Sequence, residues 1–165
     1  MKLLLQLVLG MFLLALVATS HATEPLYSQL EIEGMRGLIY PEGKTRVSLP
    51  RNQALRQARR LHMLCSAIGG PVGRFRIDQD RLWLVGLETC SGEMPVSDIY
   101  PDMQLPQLAH WLSGNFVGKV GRNCITRDHR TAFETTLHFT VDEGHVTEVG
   151  RQVWDPAVCA YQATN

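Results

Sequence analysis

The chain is notable first for what it does not contain. There is no GxSxG turn to present a nucleophilic serine and no HExxH to hold zinc. There is no glycine-rich phosphate cradle and no dinucleotide fingerprint either. None of the cysteines forms a CxxC or a close Cys/His pair, so the spacing of a structural zinc site is missing. Formal net charge is zero, which leaves no global field to draw the protein to nucleic acid or an anionic membrane. Serine hydrolysis, metal-assisted chemistry and nucleotide-dependent chemistry therefore have no motif to rest on, and neither a metal nor a cofactor is expected. The carboxylates Glu88, Glu93, Asp98 and Asp102 fall around one stretch, but acidic residues in a polar loop are ordinarily solvated.

One long apolar run is present, over residues 3–17, and nothing later approaches it. Lys2 precedes the run and Ser20-His21-Ala22 follows, with small residues where a signal peptidase reads. That layout predicts a secretory leader over 1–22, cleaved after Ala22. A membrane anchor is the alternative, but a span ordinarily needs ~20 apolar residues. The remainder, residues 23–165, has the length of a single domain of ordinary size. The protein is expected in the periplasm of a Gram-negative cell, or secreted, with no membrane span after cleavage and no nucleic-acid partner.

All four cysteines, Cys65, Cys90, Cys124 and Cys159, lie in the exported part. An even number in an oxidising compartment predicts two disulfides. Three connectivities exist. Cys65–Cys90 and Cys124–Cys159 are favoured because each closes a loop around one local unit, stabilising by about 2–4 kcal/mol.

Periodicity supplies the elements. Residues 26–40 alternate in part and read as one bent strand or two short ones, with a turn at 41–44 and a short strand at 45–49. Ala54, Ala58, Leu61, Cys65 and Ile68 make a helical stripe, so the main helix is placed at 50–68, capped by Ser48 and stopped by Gly69-Gly70-Pro71. Its arginines 51, 56, 59 and 60 read as a solvated face.

Residues 74–87 read as a hairpin turning at Gln79-Asp80. That register pairs Phe75 with Leu84 and Ile77 with Leu82 on one face, and sets Arg76 and Trp83 on the other, within reach of a cation–π contact. Residues 90–103 read as an ordered loop, 105–112 as a two-turn helix, 115–120 as a strand and 121–130 as a polar connection. A second hairpin is placed over 131–154, its turn built on Gly144, with a bulge in the return arm because Val146 and Val149 fall out of phase.

The expected fold is α+β: an antiparallel sheet of two hairpins packed against one main helix and stapled by disulfides. The expected function is recognition of another exported or envelope protein by a non-enzymatic binding module, of inhibitor or immunity kind. An accessory subunit of an envelope complex, marked by an exposed apolar patch or an unpaired sheet edge, is the second reading. A small hydrolase is the third. The binding face is placed on Arg76, Trp83, Tyr100, His110 and Trp111, which border the irregular loop. Oligomeric state has no signal in the sequence.

Overall fold

The computed structural model describes residues 26–61, 70–127, 130–155 and 159–162. Residues 1–22, expected to be a leader, lie outside the described residues. Among them no helix is long and apolar enough to cross a membrane.

Ten strands and one α-helix follow in order: β1 (Ser28–Ile32), β2 (Met35–Pro41), α1 (Gln53–Leu61), β3 (Val72–Asp78), β4 (Arg81–Thr89), β5 (Gly92–Met94), β6 (Gln107–Leu108), β7 (Gly114–Thr126), β8 (Thr131–Asp142), β9 (His145–Val153) and β10 (Cys159–Gln162). A 3-10 turn spans Val96–Asp98. The strands form one sheet in the order β10-β7-β2-β1-β3-β4-β9-β8. Because β7 also pairs with β8, the sheet returns on itself, and β7, β2, β1, β3, β4, β9 and β8 make a closed ring.

The α+β expectation is therefore corrected: the protein is mostly β, and its sheet is mixed. Two hairpins are not the whole sheet. Residues 26–40 form a third hairpin, β1–β2, whose Glu33-Gly34 turn has φ of 50° and 77°. β1 then runs parallel to β3, Leu30 beside Phe75 and Ile32 beside Ile77, which breaks the antiparallel pattern. The strand placed at 115–120 extends over Gly114–Thr126, because an irregularity between Val120 and Asn123 carries pairing past Gly121. Glu134 anchors that bulge. Its carboxylate accepts the Arg122 amide at 3.2 Å and the Arg122 Nε at 3.3 Å, which holds its pKa below the usual range.

Three smaller expectations also change. Residues 45–49 form no strand, although Val47 and Leu49 are buried. Residues 105–112 form no helix. Gln107 and Leu108 instead pair with Leu84 and Trp83 of β4. The helix cap is Asn52, whose Oδ1 accepts the Leu55 amide at 2.7 Å, rather than Ser48. The described helix ends at Leu61, and residues 62–69, with Cys65, lie outside the described residues. No two described cysteines lie at bonding distance of each other. Cys90 and Cys124 are nevertheless half-cystines rather than thiols. The pairings Cys65–Cys90 and Cys124–Cys159 rest on Cys65 and on the Cys159 side chain, both outside the described residues.

The first hairpin keeps the register expected of it: Phe75 faces Leu84, Arg76 faces Trp83, Ile77 faces Leu82 and Asp78 faces Arg81. Gln79 and Asp80 take φ of 49° and 55°, the left-handed pair whose twist matches the flanking strands. The core fills the ring. Leu30, Ile39, Phe75, Leu82, Leu84, Val120, Leu137 and Val141 are almost wholly buried, and Phe116 stacks on Phe139 at 5.9 Å. Helix α1 adds Leu55 and Ala58 to this core, and its Arg51, Arg56 and Arg60 are exposed.

The ring closes at one narrow seam. β4 meets β9 in register only at Arg81 and His145. The Leu82 amide donates to the Gly144 carbonyl at 2.8 Å, and the Val146 amide to the Asp80 carbonyl at 2.8 Å. The turn of the second hairpin is thus the two residues Glu143-Gly144, at φ 46° and 83°, between the paired Asp142 and His145. A Cβ on Gly144 would stand 3.0 Å from the Ala109 carbonyl carbon and 3.1 Å from the His110 nitrogen, both backbone. Gly43 has a similar φ of 71° but open space around it. Gly144→Ala is expected to destabilise the fold by more than the ~1 kcal/mol of left-handed strain alone, and Gly43→Ala by about that strain. Urea denaturation of the two variants checks this, and equal losses would show that the seam does not need the close approach.

Candidate interaction surface

The residues first assigned to a binding face divide into two sets. Arg76 and Trp83 lie opposite each other on the outside of β3 and β4, and Trp83 also faces Leu108 of β6. The cation–π contact expected between them is not among the described contacts. Arg76 turns the other way, its Nε 3.3 Å from Glu31 of β1, while the Trp83 indole N–H points to the Asp78 carbonyl at 3.4 Å. Arg36 and Arg74 flank them. With Glu31 and Gln29 they line a shallow hollow of about 230 Å³, but Arg36 reaches Glu31 at 3.9 Å and Arg74 reaches Glu93 at 2.6 Å. Arg36 and Arg76 share Glu31 and Arg74 has Glu93, so the hollow is a network of solvent-accessible pairs, each worth ~0–1 kcal/mol.

Tyr100, His110 and Trp111 serve a different purpose. Tyr100 is buried, and its hydroxyl donates to the Pro50 carbonyl at 2.7 Å. The Trp111 indole N–H donates to the Ser48 carbonyl at 3.0 Å, and its ring packs against the core. Asn52 Nδ2 donates to the Ile99 carbonyl at 2.6 Å. These three bonds tie the strap before α1 to the chain between β5 and β7. His110 is exposed and stands edge-on to Trp111, 5.3 Å between centroids. Tyr100 is thus removed from the candidate face, and Trp111 belongs to it only by its rim.

Among the described residues no group of three or more His, Cys, Asp or Glu could hold a metal ion. His62 and His129 lie outside the described residues.

The sequence reading missed the far half of β9. β8 pairs with β9 along its length, from Asp142 and His145 to Thr135 and Val153. Beyond Val146 the opposite edge of β9 carries no partner strand among the described residues. Val149, Arg151 and Val153 stand opposite Phe139, Leu137 and Thr135, all buried, so they share the face of β8 that builds the core. Yet Val149 is 52 % exposed, Val153 65 % and the adjoining Trp154 38 %. Arg151 is drawn to Glu33 of the β1–β2 turn at 2.7 Å, so its charge is matched rather than standing guard on the edge. An apolar face with an open edge is what a protein normally covers or charges. The bulge between Phe139 and Thr140, with Glu148 at φ 51°, brings Val149 onto this face. The out-of-phase valines were the one signal of it in the sequence.

No family model, no curated protein and no solved structure matches this chain.

Burial holds the proton on Tyr100, raising its pKa from 10.0 to about 12, against the opposing charge of Arg59. The folded phenol binds its proton more tightly than the unfolded one. Its contribution is therefore whole below pH 10 and is lost as pH rises through about 12. Tyr100→Phe is expected to cost ~1 kcal/mol at neutral pH. The difference from wild type should shrink between pH 10 and 12. Urea denaturation across that range measures it, and a pH-independent difference would remove the Tyr100–Pro50 bond as the cause.

Proposed function

We propose that the protein is an exported, non-enzymatic binding module that recognises another envelope or secreted protein by adding an extended segment of that partner to the free edge of β9. The observation that carries this reading is the exposure of Val149 and Val153 on a strand with one unpartnered edge among the described residues, with Trp154 exposed just past its end. A polypeptide laid along residues 147–153 would satisfy the outward backbone groups. Its alternate side chains would cover the two valines and the tryptophan, giving main-chain affinity with side-chain selectivity. Trp154 supplies the large flat contact typical of an interface anchor. Its amide is already fixed to the Glu134 carbonyl at 3.0 Å, so it is ordered before a partner arrives. The leader read from the sequence over 1–22 supports a periplasmic or extracellular setting for the protein and its partner.

The test uses the processed protein and three surface variants. Val149→Lys and Val153→Lys put charge on the edge. Leu105→Lys removes an exposed apolar side chain elsewhere and serves as control. All three positions are exposed, so stability should move by no more than ~0.5 kcal/mol. Wild type and Leu105→Lys should retain the same polypeptide from the native envelope. Val149→Lys and Val153→Lys should lose it by roughly tenfold, and a photo-crosslinker at position 153 should join it covalently. Equal recovery by all four proteins would remove β9 as the site. Recovery of this chain alone would replace the partner with a second copy, and retention of nothing would end the binding reading.

A further inference from the structure

A second site lies away from β9, on the outside of β2 and β7. There the structure forms a cleft of about 550 Å³, within the range of ~300–1,000 Å³ usual for small-molecule sites. Tyr27, Leu38, Tyr40 and Phe133 give it apolar walls, and Lys44 and Lys119 give it charge. No carboxylate lines it among the described residues.

The lysines carry the argument. The chain has three in all, Lys2 in the leader and these two. Positive charge elsewhere on the surface is arginine, and Arg36, Arg74, Arg76, Arg122 and Arg151 each stand within 4.0 Å of a glutamate. Neither Lys44 nor Lys119 forms an ion pair among the described residues. Lys119, opposite Leu38 in register, places its Nζ 5.7 Å from the centre of the Tyr40 ring, its described contact with charge-accepting matter. Two ammonium groups with no ion pair among the described residues, that of Lys119 over the Tyr40 ring, with Asn123 and two threonines adding hydrogen-bonding groups, form a site for negative charge on an apolar body.

We infer that this cleft binds a small organic anion with a flat apolar body, its ring or chain lying against Tyr27 and Tyr40 and its charged group between Lys44 and Lys119. A lysine ammonium is a point charge on a flexible stem and does not impose the planar, forked geometry of a guanidinium. The site therefore selects charge and apolar area rather than one anionic group. Carboxylate, sulfonate and phosphate esters all qualify, whereas inorganic phosphate lacks the body. The inference is independent of the β9 edge, which lies on other strands and concerns a polypeptide.

Reductive ¹³C-methylation of the processed protein keeps the lysine charges and labels two side chains besides the amino terminus. 2-Naphthoate is the probe, with 2-naphthylmethanol as its neutral counterpart and inorganic phosphate as charge without body. Naphthoate should shift both lysine resonances saturably. The neutral alcohol and inorganic phosphate should each bind roughly tenfold more weakly or worse, a loss of the size of one charged hydrogen bond. Lys119→Gln should weaken naphthoate by about tenfold and leave the alcohol unchanged, while Tyr40→Leu should weaken both. Naphthyl phosphate in place of naphthoate should bind within a few-fold. If naphthoate moves neither resonance at millimolar concentration, if the alcohol binds equally well, or if Lys119→Gln leaves naphthoate affinity unaltered, the inference is overturned.

Discussion

The architecture depends on two hairpin tips touching. β3–β4 and β8–β9 are each local hairpins, and the exchange among Asp80, Leu82, Gly144 and Val146 turns an open sheet into a ring. Closure removes sheet edges and encloses the side chains that face inward. Here it rests on one register pair and two short hydrogen bonds, reinforced from outside. The Gly144 amide donates to Leu112 and the Ala109 amide to Leu82, so the chain around 109–112 clamps the seam. Ala109 and Leu112 are both buried beneath it.

That clamp explains why the aromatic residues near the loop are not a free surface. Tyr100 and Trp111 spend their polar atoms on the carbonyls of Pro50 and Ser48, and Asn52 reaches Ile99 while capping α1. The strap over residues 45–52 has no ladder of its own, and these side chains supply the hydrogen bonds that strands would otherwise provide. Their placement beside a polar, proline-containing loop suggests recognition when only the sequence is considered. In the folded chain the same residues join the helix and its strap to the barrel.

The legible parts of the sequence were those where period and turn agreed. Residues 74–87 alternate cleanly, so the register of β3–β4 followed from Phe75, Ile77, Leu82 and Leu84 alone. β1–β2 did not declare itself as a hairpin, because Glu33-Gly34 lacks the Asn or Asp that commonly marks such turns, and Gly34 and Gly37 interrupt the alternation. β7 was halved for a similar reason: Gly121 and Arg122 bulge from the ladder, and the polar residues beyond them look like a connection. The stripe leading to Cys65 and Ile68 predicts a main helix over 50–68; its described part is Gln53–Leu61, and residues 62–69 lie outside the described residues. Ring closure is a property of strands far apart in sequence, and no local pattern reports it. The open edge of β9 was illegible on the same ground, since Val149 and Val153 have the spacing of core residues and are exposed because of what their strand does not meet among the described residues.

What β9 fails to meet is decided by β4. One edge of β4 is taken by β3. The other is shared out along its length: Arg81 to β9, Trp83 and Leu84 to β6, and Leu87 to Thr89 to β5. Because β4 and β9 run antiparallel, β9 past His145 runs back toward Asp80 and Gln79, the turn that precedes Arg81, and there β4 has no further residues to offer. β6 is held in its turn by the Ala109–Leu82 bond and by the packing of Trp111 against the core, so displacing it would undo the clamp on the seam. The hairpin tips that close the ring are therefore also the point at which β4 runs out as a partner for β9. The structure keeps closure and leaves the remaining length of β9 with its core-side valines uncovered. The Glu148 bulge interrupts this open edge and restricts which register an incoming strand could take.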